Sequence, residues 1–180
     1  MIFRAISINH YPFSANDEVF IDANVWLYVF CPRCASGWKT RVYSEALAKI
    51  LAAGSKVFVD VLVISEFMNR YSRMEFESLK NILGITEFKV FRNNSIYFDI
   101  AKVIANDVRR ILSYCRVTSS GLEEMDMGLL LDHYEKRRPD FNDMVLAELC
   151  RVRGLKMITH DGDFKKYGIT VLTANKTLLS

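Results

Sequence analysis

The sequence predicts a parallel α/β fold of the doubly wound type, and three observations carry that expectation. Short apolar runs, each closed by a polar residue, alternate along the chain with segments of helical periodicity. The 180 residues suggest one domain, and the 51% that are hydrophobic suffice for a core without disulfide or metal staples. With only three prolines and eight glycines, the chain shows no repeat, low-complexity tract or linker that would divide it.

Each element has its own justification. Residues 1–17 read as a leader or edge segment ahead of the first strand. Glu18–Asp22 (EVFID), Lys56–Asp60 (KVFVD) and Lys156–Thr159 (KMIT) have the unbroken apolar character of strands buried on both faces. Thr170–Leu172 (TVL) reads as an edge strand, and Phe88–Phe91 (FKVF) as a fifth strand. Helices are expected over Trp38–Ala53, Val61–Arg73, Met125–Lys136 and Asn142–Arg153. Tyr97, Ile100, Ala101, Ile104, Val108, Ile111, Leu112 and Cys115 recur at steps of three and four, the stripe of a long amphipathic helix. Gly154 stands where a helix C-terminal glycine belongs. Residues 74–140 form an extended helical middle within the single domain 1–180.

Charge and composition narrow the function classes. The net charge of +3 and pI near 8.6 are mildly basic, compatible with a nucleic-acid partner without requiring one. No apolar run approaches the ~18 residues of a membrane helix, and the N-terminus carries no signal-like apolar region. A cytoplasmic protein with no membrane partner is expected. Of the four cysteines, Cys31 and Cys34 form a CxxC. It could be a thiol-redox pair, half of a zinc site, or a turn that ends a helix at Pro32. Cys115 and Cys150 supply no second CxxC, and DANVWLYVF separates the motif from the first strand, so the turn is the preferred reading.

The acids carry the chemistry. Asp22 closes the first strand, in VFIDANVW. Glu66 lies on the helix after the second strand. Asp143 lies in the first turn of a later helix, and Asp161 and Asp163 follow the strand Lys156–Thr159 in HDGD. Each has a structural explanation: Asp22 or Asn24 as a helix cap, Asp143 as a favourable charge at a helix N-terminus, HDGD as a turn. Yet Asp143 heads a stripe through Leu146, Ala147 and Cys150, and Glu66 follows Leu62 and Val63 on its helix. Inward carboxylates without inward Lys or Arg repel one another and are costly to bury. A hard divalent cation resolves that conflict, and oxygen donors suit Mg²⁺ or Mn²⁺ rather than zinc.

In order, VFIDANVW, VLVISEF, FNDMVLAELC and MITHDGDF resemble the acidic motifs of PIN domains, in particular VapC-type toxins and related ribonucleases, over about Val19 to Thr173. The resemblance implies a PIN-like, Rossmann-like α/β/α sandwich with a central, mostly parallel sheet. It implies a Mg²⁺- or Mn²⁺-dependent endoribonuclease whose catalytic and metal-binding acids are Asp22, Glu66, Asp143 and Asp161, with Asp163 as the second choice for the fourth. Asn24 matches the Asp-x-Asn of the family and would orient Asp22 or a metal-bound water; Thr159 matches a hydroxyl at the end of the later strand. Implied partners are RNA, an antitoxin protein and a second copy of the chain. The sequence departs from the family at Ala23, where many members carry a hydroxyl, and in the longer middle from Met74 to Asp140. The alternatives are a non-catalytic PIN-like RNA- or protein-binding module and a thiol-redox protein acting through Cys31 and Cys34.

Cations flank the motifs: Arg70 and Arg73 after Glu66, Lys136-Arg137-Arg138 before Asp143, and Lys165-Lys166 after Asp163. They are candidates for a phosphate-gripping rim. His160 is the one histidine near the acids, and most Phe and Tyr residues read as core.

Overall fold

Six strands, all parallel, form the central sheet of the computed structural model, which describes residues 2–34, 37–119, 121, 125–137 and 140–180. They are β1 (Arg4–Ser7), β2 (Glu18–Ile21), β3 (Lys56–Val59), β4 (Arg116–Val117), β5 (Lys156–Ile158) and β6 (Thr170–Thr173), in the order β1-β6-β5-β2-β3-β4. The connecting helices are α1 (Ala23–Phe30), α2 (Gly37–Ala52), α3 (Val61–Leu83), α4 (Phe88–Arg92), α5 (Ser95–Tyr114), α6 (Met127–Arg137), α7 (Phe141–Arg153) and α8 (Lys176–Leu179). From β2 the chain steps outward through β3 to β4, then returns to the other side of β2 for β5 and β6. The direction therefore reverses between β2 and β5, where Phe20 pairs with Met157 and Ile21 with Ile158. Such a switch point is where parallel sheets place their chemistry, at the C-terminal strand ends.

The strands read from apolar runs are present, because a parallel strand covered on both faces cannot alternate apolar with polar residues. Val19, Phe20, Val57, Val59, Met157 and Val171 are all essentially inaccessible. Three expectations need correcting. The segment TVL is not at an edge: β6 lies inside the sheet, because residues of the N-terminal segment add β1 beside it, Arg4 opposite Thr170 and Ser7 opposite Thr173. FKVF is not a strand but helix α4. Phe88 and Phe91 are three apart and share a helical face, packing on Phe76, while Val90 is half exposed. Helix α3 continues ten residues past Arg73 to Leu83, where Gly84 closes it in the left-handed conformation (φ 64°). Gly154 closes α7 in the same way (φ 66°), as expected.

Two local features bear on the site. Pro32–Cys34 form a single 3-10 turn after α1, and Cys31 and Cys34 are free thiols facing the Met74 sulfur. At the opposite, N-terminal end of the sheet, Asp17 is buried just ahead of β2. It accepts from Tyr11 Oη (2.6 Å), from Ser14 N and Oγ (2.8 and 2.9 Å), and from Lys156 Nζ at the start of β5 (2.8 Å). Burial opposes its ionisation, but Lys156, Tyr11 and Ser14 together hold the carboxyl well below the usual range. No helix among the described residues is long and apolar enough to cross a membrane.

Candidate active site

Among the described residues, six helices and turns are capped by a side chain that accepts from the following backbone. Asp60 caps α3, Asn94 caps α5, Asp126 caps α6, Asp140 caps α7, Asp161 caps the 3-10 turn Gly162–Lys166, and Asn175 caps α8. Asp22 occupies the same position ahead of α1 and makes no such bond to the helix. Its Oδ2 instead accepts from Asn24 Nδ2 and from Thr159 Oγ1 (2.7 Å), at the end of β5. Asn24 Nδ2 also reaches Thr159 Oγ1 (3.0 Å), and Asn24 Oδ1 accepts the His160 N–H (3.1 Å). The Asp161 N–H donates to Thr159 Oγ1 (3.0 Å). Asp22, Asn24 and Thr159 are thus a buried unit joining the C-terminal ends of β2 and β5.

The remaining acids converge on that unit electrostatically. Asp22 is 4% exposed; burial, then the charges of Glu66 and Asp161, raise its pKa to about 7 against the pull of the Thr159 hydroxyl. Asp143 stands in the first turn of α7, whose inward stripe of Leu146, Ala147 and Cys150 is buried as the sequence required. Its pKa rises to about 8, through burial and then the charges of Asp22, Asp140, Asp161 and Glu66. Among the described residues no Lys or Arg pairs with Asp22, Asp143 or Asp161.

The other acids differ. Glu66 is partly buried and paired with Arg70, one turn on (3.0 Å). Asp163 is exposed, donates its N–H to Asp161 Oδ1 (2.9 Å) and is ion-paired with Lys166 (2.6 Å). Both HDGD acids are exposed; the charge of Asp161 is felt at Asp22 and Asp143, whereas Asp163 is ion-paired with Lys166. Asp60, which the sequence reading passed over, ends β3 as Asp22 ends β2; its Oδ1 accepts from Leu62 N (2.7 Å) as a cap, while its buried Oδ2 has no hydrogen-bond partner among the described residues.

The donor set fits a hard divalent ion. All donors are oxygens, and the second oxygen of Asp22 takes no side-chain hydrogen bond among the described residues. The carboxylates stand within one another's field without touching: among the described residues no three His, Cys, Asp or Glu side chains form a ready-made cage. An ion that keeps most of its own waters needs only one or two carboxylates, so the open arrangement is compatible with Mg²⁺.

The rim differs from the charge runs read in the sequence. Arg70 is engaged with Glu66, Arg73 lies over the Phe88 ring (4.7 Å), and Lys166 is engaged with Asp163. Arg138 and the side chain of Arg137 lie outside the described residues. The cation the sequence reading missed is Lys39 on α2, whose Nζ sits 5.0 Å from the Tyr28 ring centre beside His160. Tyr167 was missed as well. Burial, then Asp143, Asp163, Asp140 and Asp161, push its hydroxyl well above the usual range, so it remains a hydrogen-bond donor next to these acids. The only sequence signal for either was proximity to a motif.

The model of the family described as PIN domain matches residues 19–169. No curated protein matches the chain. Among solved structures it is similar to the crystal structure of PAE2754 from Pyrobaculum aerophilum, with 14% identity over 96% of this chain and 94% of that chain and a TM-score of 0.48.

Proposed function

Because the chain belongs to the PIN domain family, whose members are typically nucleases, we propose that it is a Mg²⁺- or Mn²⁺-dependent endoribonuclease acting at Asp22, Asp143, Asp161 and Glu66. The observation that carries the reading is a buried aspartate that declines to cap its helix. Asp22 is fixed by Asn24 and Thr159 and lies in the field of other acids, and among the described residues no Lys or Arg pairs with it.

Asp22, Asp143 and Asp161 would hold the ion. Bound there, it would lower the pKa of a water and offset the charge that develops on the phosphate. The chain's own residues set the geometry. Asn24 and Thr159 lock the Asp22 carboxylate in one orientation, and the His160 N–H locks Asn24 in turn. Glu66, steadied by Arg70, orients the attacking water. His160 is held by Tyr43 Oη at Nδ1 (2.8 Å), and no general-base role is assigned to it, because a metal-bound water needs none.

The resemblance to VapC-type toxins supports a finer reading: the chain is the toxin of a toxin–antitoxin pair, dimeric, and restrained by a small protein that covers the acids. A short open reading frame immediately upstream, whose product co-purifies with the chain and suppresses cleavage, is the expected finding.

The decisive test is incubation of single-stranded and structured RNA with the protein in Mg²⁺, Mn²⁺ or EDTA. Cleavage should need the metal and fall by about a hundredfold or more in Asp22→Asn and Asp143→Asn. Thr159→Val, which acts through Asp22, should cost about 10–100-fold. Binding of RNA without cleavage in any metal would instead identify a non-catalytic module.

A further inference from the structure

The chain has two tryptophans. Trp26 is wholly buried, whereas Trp38, in the first turn of α2, is 49% exposed. Trp38 meets the His160 ring edge-on at 5.6 Å. His160 is also edge-on to Tyr28 and Tyr43, at 5.8 and 5.7 Å, and those two rings stack on each other. Lys39 Nζ lies 5.0 Å from the Tyr28 ring and 5.8 Å from the Trp38 ring, and donates to Tyr28 Oη at 3.3 Å. Lys39 pairs with no acid among the described residues.

We propose that Trp38, with His160, Tyr28 and Lys39 beside it, is a subsite that stacks one unpaired RNA base next to the phosphate being cut. The proposal rests on the ribonuclease reading and deepens it. Packing alone accounts for Tyr43, which is buried, but not for Trp38, which leaves half of a large aromatic surface in water. Position gives it a role. His160 is bracketed in sequence by Thr159 and Asp161, and its N–H bonds the Asn24 that holds Asp22. A base against Trp38 would therefore lie about one residue from the acids.

Rigidity favours the same role. Tyr43 Oη engages His160 Nδ1 and accepts from Ala174 N (3.2 Å), while Asn175 Nδ2 donates to the His160 carbonyl (2.8 Å). The platform is thus pre-formed. The occupant is a nucleobase because the surface offers a π-face with Lys39 beside it, the pairing by which single strands are gripped irrespective of sequence. The neighbouring acids repel a phosphate, and Lys39 offsets that repulsion on the approach side.

The test uses the full chain with its metal. Trp38→Ala should raise KM for a single-stranded oligoribonucleotide by about 5- to 100-fold while kcat stays within about twofold, and Trp38→Phe should recover most of the loss. Thermal unfolding of both variants checks that the fold is intact. In the Asp22→Asn background, binding of the oligonucleotide should quench tryptophan fluorescence, and an abasic position next to the cleavage site should abolish the quench. If the wild type cleaves RNA and Trp38→Ala shows an unchanged KM, the subsite is overturned. If no RNA is cleaved but the base-dependent quench is present, the subsite stands and the catalytic reading fails.

Discussion

Removing the charge of Asp22 should stabilise the metal-free protein, by an amount that grows as pH rises from about 4 to about 7 and is full above that. Burial and neighbouring acids raise the pKa of this carboxyl from 3.8 to about 7. Between those values the native state holds a proton that the unfolded chain has released, so stability is full below pH 3.8 and falls as pH rises through about 7. At about 1.4 kcal/mol per pH unit, full ionisation costs about 4 kcal/mol, of which about 3 kcal/mol falls between about pH 5 and pH 8. Asparagine at position 22 is neutral throughout and keeps an oxygen to accept from Thr159 and Asn24. For a chain of this length, about 3 kcal/mol corresponds to about 6–12 °C in Tm. Thermal unfolding of wild type and Asp22→Asn in EDTA should therefore give Tm curves that diverge by that amount as pH rises from about 5 to 8. Mg²⁺ should restore the wild type at the upper pH and leave the variant unmoved. Parallel Tm–pH curves for the two proteins would refute the argument, because they would mean that Asp22 ionises in the native state as easily as in the unfolded chain.

Three further outcomes follow from the geometry. Asp161→Asn should lower metal-dependent cleavage at least about tenfold, whereas Asp163→Asn should change it by less than about threefold, since Asp163 is already neutralised by Lys166; equal effects in a cleavage assay would remove the distinction. Asp17→Asn should destabilise the protein by roughly 2–3 kcal/mol at neutral pH, measured by urea unfolding. Its depressed pKa means that this stability is present above the usual carboxylate range and is lost on acidification, so the deficit of the variant should shrink toward low pH. Cys31→Ser with Cys34→Ser should leave RNA cleavage intact, although the interaction between the two thiols separates them, raising Cys31, which burial raises further, and lowering Cys34 to about 7 against its burial; loss of cleavage with the fold retained would reinstate the thiol-redox reading.

What could be read in the sequence depended on how far each feature reaches along the chain. β2, β3 and β5 are legible because each is a local run whose burial on both faces leaves an unbroken apolar signature. β4, with the two exposed residues Arg116 and Val117, leaves no pattern to read. FKVF misled because four apolar-rich residues fit either period, and only Phe76 and Tyr97, from other helices, decide which face Phe91 buries. The candidate acids could be singled out because Asp22 closes a strand, Asp161 and Asp163 follow one, and Asp143 heads an apolar stripe on its helix. The reason Asp22 fails to cap was not legible, because it lies in Thr159, 137 positions away. Trp38, Tyr28 and Lys39 were equally out of reach, since α1, α2 and the end of β5 meet only in the folded chain.

The two ends of β2 show why an acid with no partner there points to function rather than to accident. Asp17 and Asp22 flank the same four-residue strand, and both are buried. At one end the fold brings Lys156 from 139 positions away, together with two hydroxyls and a backbone N–H, to satisfy the carboxylate. At the other it brings a hydroxyl, an amide and three more acids, and among the described residues no Lys or Arg pairs with Asp22. Both ends draw on the same strand, β5, so access to basic residues along it is not the limitation. A fold selected for stability alone would treat both aspartates as it treats Asp17, or replace Asp22 by an apolar residue. Asp22 is instead balanced by a proton up to about pH 7, and on the proposed nuclease reading a cation arriving with, or ahead of, the substrate would take that proton's place.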